Sequence, residues 1–166
     1  MREATRLGLC PQRSVTFLAV LLVTLLFVQP ALATTPSGGS GTFTFAAAPT
    51  QPSRTAGGNT FLTLSGTEAI SGAITGAATV DFTQVIHSSG EANSNGLITC
   101  TCVIGTSSGT VVFRFEGSGA FTAADPFAGQ FTVLSASGGL SGLRGDGTFS
   151  AIDGGGTYTF RWHFDP

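Results

Sequence analysis

The stretch 157–164 reads Thr-Tyr-Thr-Phe-Arg-Trp-His-Phe, and its alternation decides the fold class. Tyr158, Phe160, Trp162 and Phe164 fall on one face, while Thr159, Arg161 and His163 fall on the other. A period of two belongs to a strand with one buried face, because successive side chains leave a pleated sheet on opposite sides. The run 110–116, TVVFRFE, repeats the pattern, with Val111, Phe113 and Phe115 set against Val112, Arg114 and Glu116. In 79–87, Val80, Phe82, Gln84 and Ile86 alternate with Asp81, Thr83, Val85 and His87. Threonine and valine suit such a half-buried pleated surface. Sustained apolar spacing of three and four, the mark of an amphipathic helix, is absent beyond residue 33.

Extended along the chain, this reading predicts eight strands near 42–47, 59–71, 76–88, 96–104, 110–121, 127–137, 144–152 and 157–165. Serine and glycine clusters separate them, as at Ser89-Gly90, Ser107-Ser108-Gly109 and Gly154-Gly155-Gly156. Short links of this kind join antiparallel neighbours. Eight antiparallel strands, each with one apolar face, close into a barrel or stack as a sandwich, and closure removes aggregation-prone edges.

The N-terminus carries a different signal. Arg2, Arg6 and Arg13 precede an apolar run over 15–28, VTFLAVLLVTLLFV, which Gln29 and Pro30 end. Ala31-Leu32-Ala33 follows with the small side chains that signal peptidase accepts. The apolar run is shorter than the ~20 residues a membrane-spanning helix needs. The sequence therefore predicts a signal peptide over 1–33, cleaved between Ala33 and Thr34, and a secreted, periplasmic or extracellular product with no stable membrane span after cleavage. Segment 34–58, with TTPSGGSG and AAAPTQPSRTAGG, reads as linker or loop, with TFTF between them as a candidate first strand. Residues 59–166 form the predicted β domain.

Beyond the leader the chain is mildly acidic: Arg54, Arg114, Arg144 and Arg161 stand against eight carboxylates, and there is no lysine. A nucleic-acid partner is excluded, since binding the phosphate backbone needs a basic footprint. Twenty-three of the twenty-four glycines and twelve of the fourteen phenylalanines lie in this part. So many aromatics belong to a packed core rather than to disorder.

The stretch 135–151, SASGGLSGLRGDGTFSA, is glycine-punctuated and leads into the final aromatic strand. It resembles a bacterial family of unknown function grouped with the allene-oxide-cyclase-like and dirigent-like β-barrels. The matching positions are Gly139, Leu140, Gly142, Leu143, Arg144, Gly145, Gly147 and Phe149, with Gly72 and Gly76 fitting more loosely upstream. The resemblance covers about 41–165. It implies an eight-stranded antiparallel, calycin-like barrel with an interior cavity. It does not bring cyclase activity with it, because fold does not fix function.

Several motifs bear on chemistry. Gly105-Thr106-Ser107-Ser108-Gly109 matches G-x-S-x-G, but a nucleophile elbow needs a strand-to-helix turn, and here two strands flank it. Cys100 and Cys102 share a face of one strand, about 6.6–6.8 Å apart at Cα in flat geometry. That is the upper limit for a disulfide, so a bridge over a bulge and a pair of free buried thiols both remain open. His87 and His163 with these cysteines match no zinc spacing, and neither a metal nor a cofactor is expected. Arg144-Gly145-Asp146 spells an adhesion tripeptide, for which a bulge-and-turn role of the glycines is the simpler reading.

The aromatic faces give the functional lead. Phe113, Phe115, Tyr158, Phe160 and Trp162 either line a pocket for a small apolar ligand or fill a solid core. An isomerase or cyclase acting on a hydrophobic substrate is the alternative, needing polar groups such as Glu116, Arg114 or Tyr158 among the rings. A structural or envelope-associated role is the third reading.

Overall fold

The structure is a computed structural model that describes residues 35–152 and 154–165. The predicted signal peptide, with its cleavage point between Ala33 and Thr34, lies outside the described residues. Nine strands follow in order: β1 (Ser37–Pro49), β2 (Arg54–Ala56), β3 (Asn59–Gly72), β4 (Ile74–Ile86), β5 (Ala92–Ile104), β6 (Ser107–Gly119), β7 (Phe127–Gly138), β8 (Leu143–Ile152) and β9 (Gly155–Phe164). Each pairs antiparallel with its sequence neighbour from β2 to β9, and β1 pairs with both β9 and β3. The sheet therefore closes on itself as an eight-stranded barrel, with β2 as a short extra strand on β3. No helix occurs among the described residues.

The first strand is longer than its TFTF centre suggested. It takes in the glycine and serine residues before it and the alanines after it, so most of 34–58 belongs to the sheet. The reason is pairing: residues 41–49 meet β3, residues 37–44 meet β9, and both edges of the strand are satisfied. Small side chains suit a strand gripped on two sides. Backbone hydrogen bonds then replace the side-chain packing it lacks.

Alternation places one residue set inside. Cys100, Cys102, Ile104, Val111, Leu140, Leu143 and Phe160 are all buried and pack one end of the barrel solid. That end holds the β3–β4, β5–β6 and β7–β8 connections, and Leu140 of the last is fully buried. Phe113 meets Phe131 and Phe160 edge-on at 5.6 and 6.0 Å, and Phe160 stacks on Trp162 at 5.2 Å. Such pairs contribute about 0.5–1.5 kcal/mol each beyond area burial. Between β6 and β7 the register slips at Val112/Phe113, so Leu134 is an extra residue that bends β7.

Glycines create the room for these rings. Gly145 and Gly147 face inward on β8, where a Cβ would strike the rings of Phe160 and Phe131 respectively. The β8–β9 register runs unbroken through both. Their role is thus clearance in a continuous strand, not the bulge-and-turn role expected for them. Gly147→Val is predicted to destabilise the fold by about 2 kcal/mol or more through overpacking. Thr99→Val, on an exposed outward position of β5, should stay within about 0.5 kcal/mol. Urea unfolding of the two variants beside the parent measures both.

Candidate functional site

Toward the other end the barrel is hollow. There inward residues of β1 and of β3 to β9 face one another across the barrel. A cavity of about 100 Å³ remains, lined by seventeen residues. Its wall is mainly aromatic: Phe43 and Phe45 on β1, Phe82 on β4, Phe115 on β6, Phe127 on β7 and Phe149 on β8. Phe115 meets Phe82 and Phe149 edge-on at 5.9 and 6.1 Å, and Phe43 meets Phe149 at 6.4 Å. Ile74, Phe113, Phe131 and Tyr158 lie deeper in the lining, toward the packed end.

Phe121 stands in the β6–β7 connection and also lines the cavity. It stacks face to face on Phe127, with centroids 4.5 Å apart and planes 2° from parallel. Its backbone is left-handed, φ 58°, the only such non-glycine among the described residues. This conformation costs of order 1 kcal/mol for a bulky residue. The stack and the turn bonds from Ala120 N and Thr122 N to Asp125 O hold it in place.

Tyr158 uses its hydroxyl for structure. It accepts from Ile74 N–H at 2.8 Å, and its own proton is shared between Ile74 O and Ser71 O at 3.0 and 3.1 Å. To reach them from β9 it passes over Gly41, where any Cβ would collide with the phenol. Burial raises its pKa, partly opposed by the Ile74 hydrogen bond.

Glu68 is the polar exception in the wall. It sits on β3 between Phe45 of β1 and Ala78 of β4 in register. Its Oε2 is sealed from solvent and has no hydrogen-bond partner among the described residues. Loss of hydration disfavours the charged form, so burial pushes the carboxyl from 4.5 up to about 7. Ser94, also buried in the lining, accepts from Gln84 Nε2 at 3.1 Å.

The residues expected to line a pocket divide. Phe113, Phe115 and Tyr158 line the cavity. Phe160 and Trp162 do not: Phe160 is buried in the packed end and Trp162 lies against it, because their strand has by then passed below the cavity floor. Arg114 and Glu116 alternate outward, and Glu116 accepts from Gln130 on the outer face. Glu68 was missed, although Leu62, Leu64 and Ile70 in register with it place a carboxylate on the apolar face.

Cys100 and Cys102 are joined by a disulfide, with Cα atoms 5.5 Å apart. The register to β4 and β6 is continuous through both residues, so no bulge lies beneath them; the strand instead pleats more sharply between them. In G-x-S-x-G, Gly105 and Thr106 form the β5–β6 turn and Ser107 begins β6. His87 bonds Asn93 and Asn59 at one end of the barrel, while His163 lies near Asp165 at the other. No group of three metal-ligating side chains occurs among the described residues. The Arg144-Gly145-Asp146 charges are each engaged, Arg144 with Asp165 at 2.7 Å and Asp146 with Arg161 at 3.0 Å.

The raised carboxyl carries a signed pH dependence. Between 4.5 and about 7 the native state holds a proton that the unfolded chain has released. Stability from this group is therefore full below 4.5 and lost as pH rises through about 7. Glu68→Gln is predicted to exceed the parent by on the order of 2 kcal/mol at about pH 8, with the gap closing toward pH 4.5. Urea unfolding at the two pH values tests this; an equal gap at both contradicts it.

Residues 39–162 match the family described as protein of unknown function (DUF3224). A crystal structure of a DUF3224 protein of unknown function from Shewanella oneidensis superposes with TM-score 0.67 at 18% identity, covering 80% of this chain and 99% of that one. A search of the curated proteins finds no match. With the motif region and nearly the whole barrel inside the matched span, the chain belongs to the DUF3224 family.

Proposed function

We propose that this barrel binds a small, mainly apolar ligand in its hollow end. The carrying observation is the unfilled cavity itself, about 100 Å³ walled mainly by rings and aliphatic side chains. Protein interiors normally pack to crystal density, and an apolar void forfeits dispersion contacts that an occupant restores. A cavity of about 150 Å³ lined by Leu, Ile and Phe takes benzene. This one, bordered by the half-buried Phe45 and Phe121, suits a single ring or short chain with one end at the rim.

Binding is favoured over isomerase chemistry by Tyr158. Its hydroxyl, the group that such a reaction would call upon, is occupied by backbone partners. Export through the leader at 1–33 belongs to the same proposal and is supported by its charged, apolar and Ala-Leu-Ala segments. The resemblance of 135–151 to allene-oxide-cyclase-like barrels is taken as a guide to shape only.

Titration with toluene, followed by NMR shifts of the phenylalanine rings, is expected to saturate. Val80→Phe, which extends a ring into the cavity from a lining position, should abolish the shifts while the melting transition survives. Absence of saturable binding by the parent rejects the proposal.

A further inference from the structure

The cavity has an electrostatic asymmetry. Its lining contains two titratable groups, Glu68 and Tyr158, and the tyrosine hydroxyl is committed to Ile74 and Ser71. Glu68 Oε2 is left with lone pairs facing no donor. A buried carboxylate normally finds a cation, since isolation in an apolar medium is costly. Among the described residues none is supplied there. The chain has no lysine. Arg144 and Arg161 pair with Asp165 and Asp146, Arg54 lies over the Phe61 ring, and Arg114 is exposed on the outer face.

Phenylalanine rings line the same cavity as Glu68. Phe45 is the register neighbour of Glu68, and Phe43 and Phe82 share the lining. The negative faces of aromatic rings attract a cation, most strongly where water is excluded. One carboxylate inside a box of phenylalanines is the chemistry that recognises an ammonium group bearing an apolar body. A carboxylate ligand would meet repulsion, and a plain hydrocarbon would leave Oε2 unsatisfied.

We propose that the occupant is an amine, its apolar body seated among the rings and its ammonium held against Glu68. This inference rests on the ligand-binding reading above and names the head group of that ligand. The ammonium supplies both the missing donor and the missing counter-charge. Binding favours ionised Glu68, so affinity rises as pH increases through the range in which the empty site loses its proton. The groups facing Glu68 from the adjoining strands, Phe45 on β1 and Ala78 on β4, do not titrate.

The test compares benzylamine, benzyl alcohol, toluene and benzoate by calorimetric titration of the full chain near neutral pH. Benzylamine is expected to bind at least about tenfold tighter than toluene, with benzoate weakest. In Glu68→Gln, which keeps the shape and removes the charge, the preference for benzylamine over toluene should collapse. Benzylamine affinity in the parent should also strengthen between about pH 6 and 8, below the amine's own pKa. Toluene or benzyl alcohol binding as tightly as benzylamine, or a preference that survives in Glu68→Gln, overturns the amine and leaves the apolar cavity standing. Failure of all four to bind overturns both.

Discussion

The interior of a closed eight-stranded barrel has a fixed width, and many of the rings that enter it need bare backbone beside them. This constraint organises the molecule. Phe160 and Phe131 lie where Gly145 and Gly147 give up their side chains, and the Tyr158 ring crosses above Gly41. The same economy explains a composition rich in both glycine and phenylalanine. The two features are linked: where a ring presses on a neighbouring strand, a glycine there yields the space.

The two ends of the barrel solve this packing problem differently. At one end, aliphatic side chains and the Cys100–Cys102 pair fill the gaps between rings, and Leu140 is buried in the closing connection. At the other, rings stand around the circumference with Gly66, Gly96 and Gly117 at inward register positions between them. The rings and the aliphatic Ile70, Val80 and Ile98 together do not fill the centre, and a cavity is left. Glu68 and the left-handed Phe121 border that space. Both cost stability where they stand.

Period-two alternation was enough to read the strands and their inward faces, because it is a local property of the chain. The inward set at 110–116 and 157–164 follows from it directly. Closure was legible only through the resemblance, since a barrel and a sandwich share that alternation. The length of β1 was hidden because its glycines and alanines carry no strand propensity; pairing on both edges is what makes them a strand. The cavity itself was out of reach. Whether Phe160 lines a pocket or fills a core depends on its height in the barrel, which strand tilt and register set across non-adjacent segments. Glu68 could have been found from its place on an apolar face. That its Oε2 lacks a partner could not, because this depends on every strand around it.

The half-hollow interior is the claim on which the functional reading stands. Diffraction from crystals under xenon pressure tests it most directly, because xenon enters apolar voids without needing any polar contact. The expected result is a single strong xenon peak bounded by Phe43, Val80, Phe115 and Phe149. A barrel with no xenon there, and with Phe45 or Phe121 turned inward to fill the space, would contradict the account.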